Sequence, residues 1–251
     1  KSAFEEVGRF WDNVSSESDG PARPLLHSCV EQNIDLPTLL LSISPTELKT
    51  SASLLRIDPS ILSNALAEVP YWKASEMLEF RNWINPAHDI TGWIQRDSSS
   101  AFEVAAQYHY LHEANHPPID YFSKACGWEP SNWLTEGVCE YVSSSDEVHH
   151  SHCSELTNEY GDAANITWSN IQRALAGEAT NIRFKDYTLG WIIVHGLSMI
   201  FDGNEKPSRA LSKVLSLFYD HKSSGNLNAT FDSILDDAVT VDRFNNSIQK
   251  I

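Results

Sequence analysis

Basic residues are scarce here, 18 Lys and Arg against 34 Asp and Glu in 251 residues, for a formal net charge of −16. A surface this acidic repels phosphate backbones and argues against nucleic acid as a partner. Its plainest consequence is solubility. No apolar run approaches the length of a membrane span. No segment is of low complexity, and no motif recurs at a fixed period, which excludes repeat architectures. Cys-x-x-Cys pairs are absent, which argues against a cysteine-rich zinc knuckle. Strand patterns are nearly absent too. Residues 90–95 form a short candidate and few others are convincing, so any sheet is small.

Apolar residues make up 41% of the chain. That suffices for one large domain, or for a catalytic domain with a smaller helical companion. The chain opens with Lys1-Ser2-Ala3-Phe4. That start carries neither a Met nor a signal peptide, as expected where a signal has been removed. Four sequons begin at Asn13, Asn165, Asn228 and Asn245. With an even count of cysteines (Cys29, Cys126, Cys139 and Cys153) they point to a secretory route and an extracellular, glycosylated protein. Four cysteines allow three pairings, and sequence alone does not choose among them. A disulfide from Cys153 to Cys139 or Cys126 would brace the segment beside Glu136. Reduced, buried thiols are the alternative.

Residues 1–70 suggest a string of short helices. Phe4, Val7, Phe10, Trp11 and Val14 recur at helical spacing. Residues 15–24, with Gly20, Pro21 and Pro24, form a loop. Ser44-Pro45-Thr46-Glu47 and Asp58-Pro59 each open a helix. Trp72, Met77, Phe80 and Trp83 suggest another, ending near Asn85-Pro86. Ser100-Ala101-Phe102-Glu103 is a capping box for a helix that Pro117-Pro118 should end. Residues 133–142 form a helix and residues 143–153 a polar loop. Helices over 167–175, 187–201, 208–219, 229–235 and 241–251 complete the C-terminal half. The fold class expected is mainly α (α+β), with a helical N-terminal region over 1–99 and a catalytic domain over 100–251.

The chemistry concentrates in His112-Glu113-Ala114-Asn115-His116. A helix turns about 100° per residue, so histidines four apart share one face. Both imidazoles can reach one ion. Glu113 lies beside them and can take a proton from a water that the ion acidifies. A catalytic zinc needs a third protein ligand. Glu136 is the best candidate, in Trp133-Leu134-Thr135-Glu136-Gly137-Val138-Cys139-Glu140-Tyr141.

His-Glu-x-x-His followed by Trp-Leu-x-Glu-Gly-x-x-x-Tyr resembles the gluzincin metallopeptidases, the group of thermolysin-like and aminopeptidase-N-like enzymes. The resemblance covers roughly residues 100–251. It implies a zincin-like catalytic domain with one Zn2+ per chain, held by His112, His116 and Glu136, with Glu113 as general base. Nineteen residues separate His116 from Glu136, as in the thermolysin-like pattern, while the wording around Glu136 is closer to the aminopeptidase-like one. Tyr187-Thr188-Leu189-Gly190 is similar to the aminopeptidase-like Tyr-x-x-Gly segment, whose tyrosine stabilises the oxyanion. His195 is the alternative oxyanion donor, as a histidine is in the thermolysin-like group; a packed core histidine is the plainer reading.

Glu140, one turn after Glu136, either supports a ligand histidine from behind or is a solvated helix glutamate. His109 is read as a packed residue and His149-His150-Ser151-His152 as a solvated run. The chain departs from the family's pattern in two places. Pro117-Pro118 directly follows the second histidine, and Cys139 stands where Glu-Gly-x-Ala has alanine.

The expected activity is hydrolysis of peptide bonds in a peptide or protein substrate. No Gly-x-Met-x-Asn motif anchors a substrate amino terminus, which favours internal cleavage. A secreted binding protein with a gluzincin fold but no turnover is the alternative. A helical adaptor with a chance motif is a third.

Overall fold

Helix follows helix throughout the part of the chain that the computed structural model describes: residues 3–31, 112, 115–129, 132–143, 146–178, 181, 184–201, 205–223 and 225–251. The first two helices are α1 (Ala3–Ser16) and α2 (Arg23–Val30). His112 is helical, and α3 runs over residues 115–125. Then come α4 (Trp133–Ser143), α5 (Asp146–Tyr160) and α6 (Trp168–Arg173). The remainder are α7 (Leu189–Ile200), α8 (Pro207–Asp220), α9 (Leu227–Asp237) and α10 (Val241–Ile248). A 3-10 turn at Ala163–Asn165 and π-helical turns at Ala174–Glu178 and Phe184–Thr188 join some of them.

The helix starts follow from local chemistry. Asn132 caps α4: its Oδ1 accepts from Leu134 N at 2.8 Å and Thr135 N at 3.1 Å. Thr135 Oγ1 accepts in return from Asn132 N at 2.9 Å. This reciprocal box satisfies donors that the helix cannot, and it fixes where the first turn of α4 begins. Thr167, Asn226 and Thr240 cap α6, α9 and α10, each side chain accepting from the backbone N–H three residues on.

The centre of the core is α7. Leu189, Trp191, Ile192, Ile193, Val194 and Leu197 are all buried, and its closest packing is against α4. Glycines set that crossing. A Cβ on Gly190 would strike the Trp133 carbonyl oxygen, and one on Gly137 would strike the Gly190 backbone. With no side chain at either position the two helices approach backbone to backbone. Glu136, next to Gly137, is thereby brought close to the segment that carries Tyr187.

Aromatic rings fill the space between α4, α6, α8, α9 and α10. Phe231 lies edge-on to Trp133 at 5.8 Å, Trp168 at 4.7 Å and Phe244 at 5.4 Å, and stacks on Phe218 at 6.0 Å. Each such pair contributes about 0.5–1.5 kcal/mol beyond the area it buries.

α1 packs on α2 and on α8. Its Trp11 and Val14 belong to the same core as α7. Trp11 Nε1 donates to Asn115 Oδ1 at 2.8 Å, a buried bond across 104 residues. The N-terminal helix thus reaches into the histidine motif itself.

Several expectations change. No strand occurs among the described residues, so the small sheet is not seen; the candidate at 90–95 lies outside them. The proposed boundary between residues 99 and 100 also lies outside them, as do His109, the capping boxes at Ser44 and Ser100, the Asp58-Pro59 start and the Trp72–Trp83 helix. The polar loop proposed over 143–153 is instead the start of α5. Pro117-Pro118 does not stop its helix, because α3 continues to residue 125.

Candidate metal centre

Two segments bring their polar residues to one point. His112 and His116 come from the motif, and Glu136 from the first turn of α4. His112 Nε2 lies 3.2 Å from Glu136 Oε2. His116 Nε2 lies 3.3 Å from His112 Nε2 and 3.6 Å from Glu136 Oε2. Donor atoms bound at about 2.0–2.2 Å to one tetrahedral zinc stand about 3.3–3.6 Å from one another. The triangle therefore has the edge lengths of three corners of a tetrahedral site.

Protons alone satisfy this trio with difficulty. Glu140 Oε1 lies 3.3 Å from His112 Nδ1. The contact is a charge contact rather than a well-aligned hydrogen bond. Even so, it favours a proton on Nδ1, which leaves the Nε2 lone pair of a neutral ring facing a carboxylate oxygen. In that tautomer the two lone pairs repel. A divalent ion relieves the repulsion with the rings neutral. The residues present fit such an ion.

Burial sharpens the point. His112 is 3% exposed, Glu136 7% and Glu140 3%. Two carboxylates and two imidazoles withdrawn from water cost several kcal/mol per charge unless paired or metal-bound. Asp186 adds to the negative field. Burial pushes its carboxyl up, Lys185 pulls it down, and the Glu136 charge pushes it up again.

Behind His112 a chain of polar contacts runs into the core. Glu140 Oε2 lies 2.8 Å from His152 Nε2. His152 Nδ1 lies 3.0 Å from Thr188 Oγ1, and the Thr188 hydroxyl donates to Glu155. Since the hydroxyl has one proton and gives it to Glu155, it accepts from His152. Glu140 is therefore no solvated glutamate: it bridges His112 to His152. The expectation of a solvated run at 149–152 is corrected as well. His152 is buried and stacks on Trp191 at 4.8 Å, while His149 lies edge-on to the same ring at 5.2 Å. Only His150 and Ser151 are exposed. The signal for this was the spacing of His149, His152 and Leu156, three and four apart on one helical face; their polarity hid it.

Tyr187 lies in the π-helical turn Phe184–Thr188. Its ring stacks on His112 with centroids 5.6 Å apart and planes 6° from parallel. Turns of this kind recur at functional sites because they shift one side chain out of helical register. His195 goes elsewhere. It lies two turns further along, about 12 Å by helical rise, and packs against Tyr141, His149 and Trp191. Burial, and then the nearby His149, push its pKa down to about 4.

Cys139 joins the site from α4. Its sulfur and nitrogens of His112 and His116 form a group whose atoms all lie within 4.8 Å of one another. All four cysteines are unbridged thiols, so no bridge from Cys153 to Cys139 or Cys126 is formed. Of the sequons, Asn13 is exposed. Asn165 is exposed, but its Nδ2 donates to Tyr160 O at 2.9 Å. Asn228 and Asn245 are half-buried, and their Oδ1 atoms accept from Trp133 Nε1 and Trp168 N. Glu113 lies outside the described residues. No described helix is long and apolar enough to cross a membrane.

Compared with protein-family models, with curated proteins and with solved structures, the chain matches none.

Proposed function

We propose that the chain is a secreted zinc-dependent metallopeptidase, with His112, His116 and Glu136 as the ligands and Glu113 as general base. One observation carries the reading: the three donor atoms stand 3.2, 3.3 and 3.6 Å apart in a buried, negatively charged setting. When bound, such an ion polarises a carbonyl and lowers the pKa of a coordinated water to about 7.

The rest belongs to the chain. Glu113, next to His112 in sequence, takes the proton of the attacking water and hands it to the leaving amine. Glu140, steadied by His152, holds the His112 ring in orientation and favours the tautomer that presents Nε2. Tyr187, stacked on that ring, is the donor for the developing oxyanion. Its hydroxyl is preferred to His195, whose ring packs against Trp191 and His149 instead. The exposed Asn13 is the glycosylation site that best suits a secretory route.

A second reading is a metal-holding binding protein without turnover. The Cys139 sulfur beside the two histidines favours it. Glu113→Gln separates the two. For a peptidase, hydrolysis of an unstructured protein substrate falls by at least about 100-fold, the lower range for loss of a positioned base, while bound zinc is unchanged. Undiminished hydrolysis by the variant contradicts the proposed mechanism. A wild-type protein that holds zinc and cleaves nothing favours the second reading.

A further inference from the structure

We propose that the Cys139 thiol is a further ligand to the same ion, so that sulfur closes the site in its resting state. The inference rests on the metal site proposed above. Cys139 follows Glu136 by three residues on α4, which puts both on one face of the helix. Its side chain is fully buried. Sulfur at about 2.3 Å and nitrogen at about 2.0–2.1 Å from one tetrahedral zinc stand roughly 3.5 Å apart. The sulfur and one ring nitrogen each of His112 and His116 already lie within 4.8 Å of one another, so each sulfur–nitrogen gap is at most about 1.3 Å wider than a shared ion requires.

The chemistry is balanced and simple. The S–H bond breaks, a metal–sulfur bond forms, and the proton passes to solvent. Cys139 therefore adds one released proton to each binding event. A thiolate beside two imidazoles selects zinc over magnesium or calcium, which prefer oxygen. Two imidazoles, one carboxylate and one thiolate make four protein ligands. That is the closed arrangement of a structural zinc, with no position left for water. The sulfur must leave before water can bind, so Cys139 regulates whether the site hydrolyses anything.

Cobalt(II) reports sulfur ligation directly, because thiolate bound to it adds an intense charge-transfer band in the near ultraviolet. The full chain is titrated with cobalt(II), as wild type and as Cys139→Ala, a change that keeps a small apolar residue in the packed helix. The expected result is the band in the wild type and its loss in the variant. Cobalt affinity falls at least about tenfold, the lower range for lost support of a metal ligand, and one proton fewer is released per ion. Cobalt bound without the band, with equal affinity in both proteins, overturns the inference and leaves the site of His112, His116 and Glu136 standing. No cobalt binding by either protein overturns both. If Cys139→Ala does not fold, the wild-type spectrum decides alone.

Discussion

Two buried clusters share α4 and differ in almost every respect. At its first residue, Trp133 enters an aromatic cluster with Phe218, Phe231, Trp168 and Phe244. One turn on, Glu136 and Glu140 face His112, His116 and His152. The aromatic cluster needs nothing beyond itself, since apolar surface and edge-on rings stabilise it outright. The polar cluster is costly to bury, and packing gives no reason for it. Buried titratable groups gathered at one point mark functional sites more often than structural ones. The comparison teaches where to look: one helix buries an apolar cluster along one part of its length and a polar, titratable one along the next.

Substitutions in the two clusters should therefore separate stability from metal binding. The largest effect is expected for Phe231→Ala, which removes the ring at the centre of the aromatic cluster. Unfolding free energy measured by urea titration should fall by about 3–5 kcal/mol, while any protein that remains folded keeps its zinc affinity. A loss of zinc affinity in that folded fraction would merge the two clusters into one. His152→Ala tests the opposite side. Zinc affinity, measured by competition with a chelator, should fall about 10–100-fold, because Glu140 loses the partner that orients it towards His112. Unchanged affinity would reduce the Glu140–His152 contact to packing.

The smallest effect concerns His195, which belongs to α7 but to neither cluster. In the unfolded chain it takes up a proton near its ordinary value of about 6.5; folded, it resists until about 4. The unfolded state therefore binds more protons between these values. Stability from this group is fully present above about 6.5 and is lost as the pH falls through about 4. Denaturant midpoints at pH 7 and pH 5 should differ less in His195→Gln than in the wild type. An equal difference in both proteins would assign the acid sensitivity to other groups.

How much of this was legible in the sequence varies with the kind of signal. The pairing of His112 with His116 was, because residues four apart share a helical face, whereas Glu136 was reached only through the resemblance of Trp-Leu-x-Glu-Gly to a known pattern. The helices of the C-terminal half were legible too, since apolar residues recur there at helical spacing. α5 was not. Its face towards the core carries His149 and His152, so the helical period is written in polar residues. The π-helical turn that delivers Tyr187 leaves no mark on composition or periodicity. The Glu136-to-Cys139 spacing was visible, but only as a departure from the alanine in the family's pattern. The reach of α1 to Asn115 joins residues 104 positions apart, and no local pattern encodes such a contact.

The central claim is that the buried trio holds a metal, and metal content tests it most directly. Purified protein, dialysed against metal-free buffer after exposure to zinc, should retain about one zinc per chain by elemental analysis. His116→Ala should retain little or none. A wild-type protein that retains no zinc and shows no affinity for it would contradict the account at its root.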